Sequence, residues 1–102
     1  SDMMACGGGG SSPLWRQMLA DLYACPVKTA SSKEGPALGV AILAMVGAGI
    51  YSSVPEACEK IVGISKVQQP VEENVPVYEK YFRLYDEIYP AVKEQCGKLA
   101  KI

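Results

Sequence analysis

Apolar and polar positions follow one another along this chain in blocks that predict a short strand, a turn and then mostly helix. Met3, Met4, Ala5 and Cys6 form a short apolar run ending at Gly7, Gly8, Gly9 and Gly10. This is the pattern of a buried strand running into a glycine turn. Ser12 then stands as an N-cap and Pro13 as the first helical residue, where its missing N–H costs nothing. Leu14, Trp15, Met18, Leu19 and Leu22 recur at three- and four-residue spacing and mark one apolar helix face, with Arg16, Gln17 and Asp21 mostly off it. Pro26 stops that helix near Ala24, and residues 27–30 predict a second short strand.

A polar turn over residues 31–35 leads to Pro36, which starts a helix running to about Val46. Its residues Ala37, Leu38, Gly39, Val40, Ala41, Ile42, Leu43 and Ala44 are small or apolar nearly all round, which predicts burial on several sides. Gly39 inside it costs about 1 kcal/mol against alanine and predicts close approach of another backbone. Ser53 and Glu56 match a capping box at the head of a short helix, with Glu56 and Lys60 one turn apart. Residues 66–73, including Pro70, predict an extended linker. Asn74 then caps a long helix with Pro76 in its first turn. Its apolar stripe is Val77, Tyr78, Tyr81, Phe82, Tyr85, Ile88, Tyr89, Val92, Cys96 and Leu99. Glu79 with Arg83 and Glu94 with Lys98 are one-turn pairs on the polar side. Pro90 predicts a kink or a restart.

The composition narrows the function. The 102 residues suit one domain or part of one. Ten basic against eleven acidic side chains leave a net charge of −1, so the electrostatic footprint of a nucleic-acid binder is missing. There is no histidine, which removes Ser-His-Asp and Cys-His catalysis and His-ligated zinc. The longest apolar stretch, residues 37–50, is short of the ~20 residues of a bilayer span. No leader pattern opens the chain. Cys6, Cys25, Cys58 and Cys96 lie too far apart for a zinc knuckle and are expected as free thiols of a cytoplasmic protein. The acids, among them Asp21, Asp86 and Glu87, are expected on solvated helix faces.

The informative segment is the strand, Gly7-Gly8-Gly9-Gly10-Ser11-Ser12-Pro13, then the helix. Glycines admit positive φ and let a ligand approach the backbone, and the helix that follows offers free N–H groups. Such a turn cradles a phosphate or merely joins two elements. It lacks the lysine of a Walker loop, and Ser12 stands where the dinucleotide fingerprint has its third glycine.

Taken whole, residues 5–21 resemble the adenosine motif of the FGGY carbohydrate kinases, xylulokinases foremost: Gly-Gly-Gly-Ala, a small residue, Ser-Pro-Leu-Trp-Arg-Gln, and a helix ending in Ala-Asp. Gly10 stands here in place of the usual alanine. Glu34-Gly35-Pro36-Ala37-Leu38-Gly39-Val40-Ala41 resembles the family's next helix, and the Tyr-rich tail resembles its closing helix. The resemblance covers roughly residues 3–95.

The resemblance implies an α/β fold: the C-terminal part of an actin-like, ribonuclease-H-like ATPase domain, mostly helical with two short strands here. Residues 1–30 would be the adenosine motif and 31–102 its helical remainder. It implies transfer of the γ-phosphoryl group of ATP, with Mg2+, to a sugar hydroxyl, D-xylulose above all. Gly7, Gly8, Gly9 and Gly10 would line the nucleotide's phosphates and ribose, with Ser12 near the adenine or ribose. The family's catalytic aspartate, sugar-binding residues and Mg2+ ligands lie upstream of this motif. The chain is therefore expected to be a fragment with no catalytic residue or metal ligand of its own. An N-terminal strand without its usual neighbours is expected to pair with another copy, as a homodimer or strand-exchanged assembly. The competing reading is a small non-catalytic helical interaction module, with the aromatic stripe as its binding face.

Overall fold

A computed structural model describes all 102 residues. The elements run β1 (Met3–Ala5), α1 (Gly7–Gly10), α2 (Pro13–Tyr23), β2 (Val27–Ala30), α3 (Gly35–Gly47), α4 (Val54–Ile61), β3 (Ile64–Gln68) and α5 (Val75–Leu99). The capping signals act as their chemistry requires. The Ser12 hydroxyl accepts from the Trp15 N–H at 3.3 Å and opens α2. Ala24, in the left-handed region at φ 52°, closes it two residues before Pro26. The Ser53 hydroxyl accepts from the Glu56 N–H at 3.3 Å and opens α4. The return contact of that box falls one residue earlier, since the Glu56 carboxylate accepts from the Ser52 N–H at 2.9 Å and from the Ser52 hydroxyl. These contacts hold Glu56 below the usual carboxylate range.

Three strands form one sheet in the order β1-β2-β3. β1 pairs parallel to β2, with Met3 opposite Val27 and Ala5 opposite Thr29, and α1 and α2 form the crossover. Asp2 and Lys28 form an ion pair beside this ladder, which lowers the Asp2 pKa. β3 pairs antiparallel to β2 and corrects the expected count of two strands. It lies where the sequence predicts the start of a linker. Lys66 and Gln68 hide the strand, and pairing to β2 from a distant segment creates it. Thr29 faces Lys66 and Ala30 faces Ile64, so Ser65 is the extra residue of a bulge.

The core is small. Ala20, Val27, Ile42 and Ala57 are its buried apolar side chains, and only 7 of 102 residues are buried. α2 lies against the sheet and against α5, while α3 and α4 pack on each other. The radius of gyration, 18.9 Å, exceeds the ~13 Å of a compact domain of this length.

Four further expectations are corrected, for α3, Gly39, Asp21 and Arg16. Val40 and Leu43 of α3 are 67% and 62% exposed, so the all-round apolar helix is covered on one side only, at Ile42. Gly39 has no neighbour within 4 Å of where a side chain would begin, so no backbone approaches it. Asp21, expected in solvent, is buried, and so is Arg16, placed off the packing face by the apolar spacing. α5 buries none of its 25 residues and runs unbroken through Pro90, without the restart that proline predicts. Glu79–Arg83 and Glu94–Lys98 pair along it at 2.5 and 2.7 Å. All four cysteines are free thiols, and no helix is long and apolar enough to cross a membrane.

Candidate functional site: the glycine turn and its cleft

β1 ends at Ala5, and after Cys6 the backbone takes φ +75° at Gly7, which turns the chain at once. Only glycine adopts that conformation without strain. The expected glycine turn takes the form of a single helical turn over Gly7–Gly10. The Ser11 and Ser12 N–H groups donate back to the Gly8 and Gly9 carbonyls, each at 3.1 Å. Gly10 is buried against β1, and a side chain there would begin 3.1 Å from the Ala5 carbonyl carbon. Gly9 lies under the Trp15 indole, 3.4 Å from where its own side chain would begin.

Arg16 secures this turn from below. It is 4% exposed, and its Nη1 donates to the Gly10 carbonyl at 2.8 Å. Asp21, five residues further along α2, is an acceptor hub. Its Oδ1 accepts from the Gln17 amide at 2.8 Å and the Val71 N–H at 2.7 Å, and its Oδ2 accepts from the Asn74 amide at 2.9 Å. Burial alone would raise its pKa; the bonds from Val71, Asn74 and Gln17 outweigh that and lower it. The Gln17 amide also donates to the Gln69 carbonyl at 3.0 Å, and its Oε1 accepts from the Gln68 side chain. α2 is thereby tied to the segment between β3 and α5.

An open cleft of about 1070 Å³ lies in front of the turn. Gly7, Gly8, Gly10 and Ser11 line one side, with the end of β1 and Arg16. Thr29 in β2 and Ser31, Ser32 and Lys33 after it line the other, with the start of α3. Val62, Ser65 and Lys66 complete it, so the bulge residue of β3 reaches the cleft. Of the five residues singled out from the sequence, Gly7, Gly8 and Gly10 line this cleft; Gly9 faces Trp15, and the Ser12 hydroxyl caps α2.

The lining holds three cations (Arg16, Lys33 and Lys66), five hydroxyl residues and no carboxylate, in a chain whose net charge is −1. Sequence spacing did not single out these cations, because the fold gathers them from α2, the turn after β2, and β3. Such a lining favours an anionic ligand with hydroxyl or phosphate oxygens, and its size suits a nucleotide. No group of three or more carboxylate or thiol side chains is arranged to hold a metal ion.

Residues 1–48 match the family model for the C-terminal domain of the FGGY family of carbohydrate kinases. A xylulose kinase of Staphylococcus epidermidis is 32% identical over all 102 residues, which cover 21% of that protein. An autoinducer-2 kinase of Escherichia coli is 38% identical over 97 residues, 95% of this chain and 18% of the kinase. The chain belongs to the FGGY carbohydrate kinases. A crystal structure of ligand-bound xylulose kinase from Lactobacillus acidophilus superposes with a TM-score of 0.85 at 28% identity, covering 96% of this chain and 20% of that one. The fold is thus the C-terminal part of the FGGY actin-like ATPase fold, mostly helical with a small three-stranded sheet. The chain spans about a fifth of the length of these FGGY relatives.

Proposed function

We propose that this chain is the nucleotide-facing wall of an ATP-dependent FGGY sugar kinase, contributing the C-terminal portion of its ATP-binding domain. Residues 1–30 supply the adenosine motif and 31–102 the helical remainder. The observation that carries this reading is the cleft at the strand-to-helix turn, with three cations, five hydroxyl residues and no carboxylate. In this reading Gly7, Gly8 and Gly10 bring backbone close to the phosphates and ribose, Gly9 contributes by seating the turn under Trp15, and Ser12 marks the adenosine end. The complete cytoplasmic enzyme transfers the γ-phosphoryl of ATP to a sugar hydroxyl. D-Xylulose is the first substrate to test, giving D-xylulose 5-phosphate and ADP. The likeness to an autoinducer-2 kinase names the competitor. In this reading Mg2+ is held by groups outside this chain.

Titration of the ¹⁵N-labelled chain with ADP tests the reading. Shifts are expected at Gly7–Gly10, Ser12 and the first turn of α2. A dispersed spectrum that ADP leaves unmoved would overturn it. The chain alone is expected to release no ADP in a sugar-dependent way, because phosphoryl transfer needs a catalytic base and metal positioned together.

A second reading, an interaction module, draws on α5, where Tyr81, Tyr85 and Tyr89 are 70%, 70% and 63% exposed. In the kinase reading the same stripe packs against the rest of the enzyme. A stand-alone short gene would favour the module, and a long reading frame the kinase.

A further inference from the structure

Arg16 carries more than the turn beneath which it lies. A neutral donor would satisfy the Gly10 carbonyl, yet the residue here is a guanidinium, 4% exposed and bonded through Nη1 at 2.8 Å. Its Nε is buried without a partner. None of the chain's ion pairs includes it, and no acid lines the cleft it borders. A buried cation without a counter-ion is unfavourable, and an anion in the cleft it borders recovers part of that loss. Guanidinium geometry suits phosphate oxygens in particular. Lys33 and Lys66 also border the cleft but are exposed and hydrated, so their charges are screened more strongly.

We infer that Arg16 is the residue that makes this site select the phosphates of a nucleoside diphosphate over the bare nucleoside. The inference rests on the nucleotide reading above and adds to it the group responsible for the preference. Its charge acts on the phosphates, while its bond to Gly10 holds the turn in register with them.

The test titrates the full chain with ADP and, separately, adenosine, using the unmutated protein, Arg16→Gln and Arg16→Lys. The unmutated chain is expected to prefer ADP by about tenfold or more, the scale of a charge-assisted hydrogen bond. Arg16→Gln should remove most of that preference while leaving adenosine affinity within about twofold, and Arg16→Lys should keep most of it. An unchanged preference in Arg16→Gln, or equal loss of both ligands, overturns the assignment of Arg16 and leaves the nucleotide reading standing. An unmutated chain that binds neither ligand overturns both. Should Arg16→Gln fail to fold, inorganic pyrophosphate added to the unmutated chain decides. Movement of the Arg16 Nε–H resonance supports the inference, and a stationary one overturns it.

Discussion

The Asp21 carboxylate joins segments 50 residues apart in sequence, accepting from Gln17 on its own helix and from Val71 and Asn74 beyond β3. Replacing it with alanine strands donors in a partly buried setting, and Asp21→Ala is expected to cost about 2 kcal/mol. Urea unfolding at neutral pH measures this. The effect has a pH signature. The native pKa of Asp21 is lowered, so the folded state holds its proton less tightly than the unfolded chain. The stabilisation is complete above the unfolded value, about 3.9, and is lost as pH falls through the native value. The stability gap between Asp21→Ala and the unmutated chain should therefore narrow below about pH 4, and a gap independent of pH would refute this account. Neither Asp21 nor Arg16 was legible as a buried residue. The spacing of Leu14, Met18, Leu19 and Leu22 assigns them to the polar side. Their partners, a glycine carbonyl and a distant loop, leave no local pattern in the sequence.

Among the elements, helix starts were the most legible, because capping is chemistry between neighbours. Ser12 with Pro13, and Ser53 with Glu56, stand where α2 and α4 begin. Ser12→Ala should destabilise the chain by about 1 kcal/mol in urea unfolding. Asn74 is the exception. It precedes α5, but its side chain reaches Asp21 instead of the helix N-terminus. β3 escaped notice because Ile64, Lys66 and Gln68 alternate with Ser65 and Val67, giving neither face a clear apolar character. What makes it a strand is the ladder with β2, reached through α3 and α4. As the central strand, β2 should show the strongest amide-exchange protection in the sheet, with β1 and β3 opening earlier. Equal protection across the three would contradict the order β1-β2-β3.

At the scale of the molecule, apolar surface is abundant and little of it is covered. α3 leaves Val40 and Leu43 open, and α5 leaves Tyr81, Phe82, Tyr85, Ile88 and Tyr89 open. The sequence foretold the apolar faces but not their exposure, since periodicity says which residues seek burial and not what buries them. Monomeric proteins rarely present apolar patches beyond a few hundred Å², so the isolated chain is expected to self-associate. Sedimentation velocity across a concentration series should show assemblies growing with concentration. A strict monomer at high concentration would count against both the dimer and the strand-exchanged form.

The chain's one tryptophan stands over Gly9 with its indole half exposed, so the protein carries a native fluorophore on the roof of its glycine turn. Any ligand that presses on or straightens that turn changes the polarity around the indole. Its emission then becomes an optical gauge of the turn, readable in dilute solution without a label.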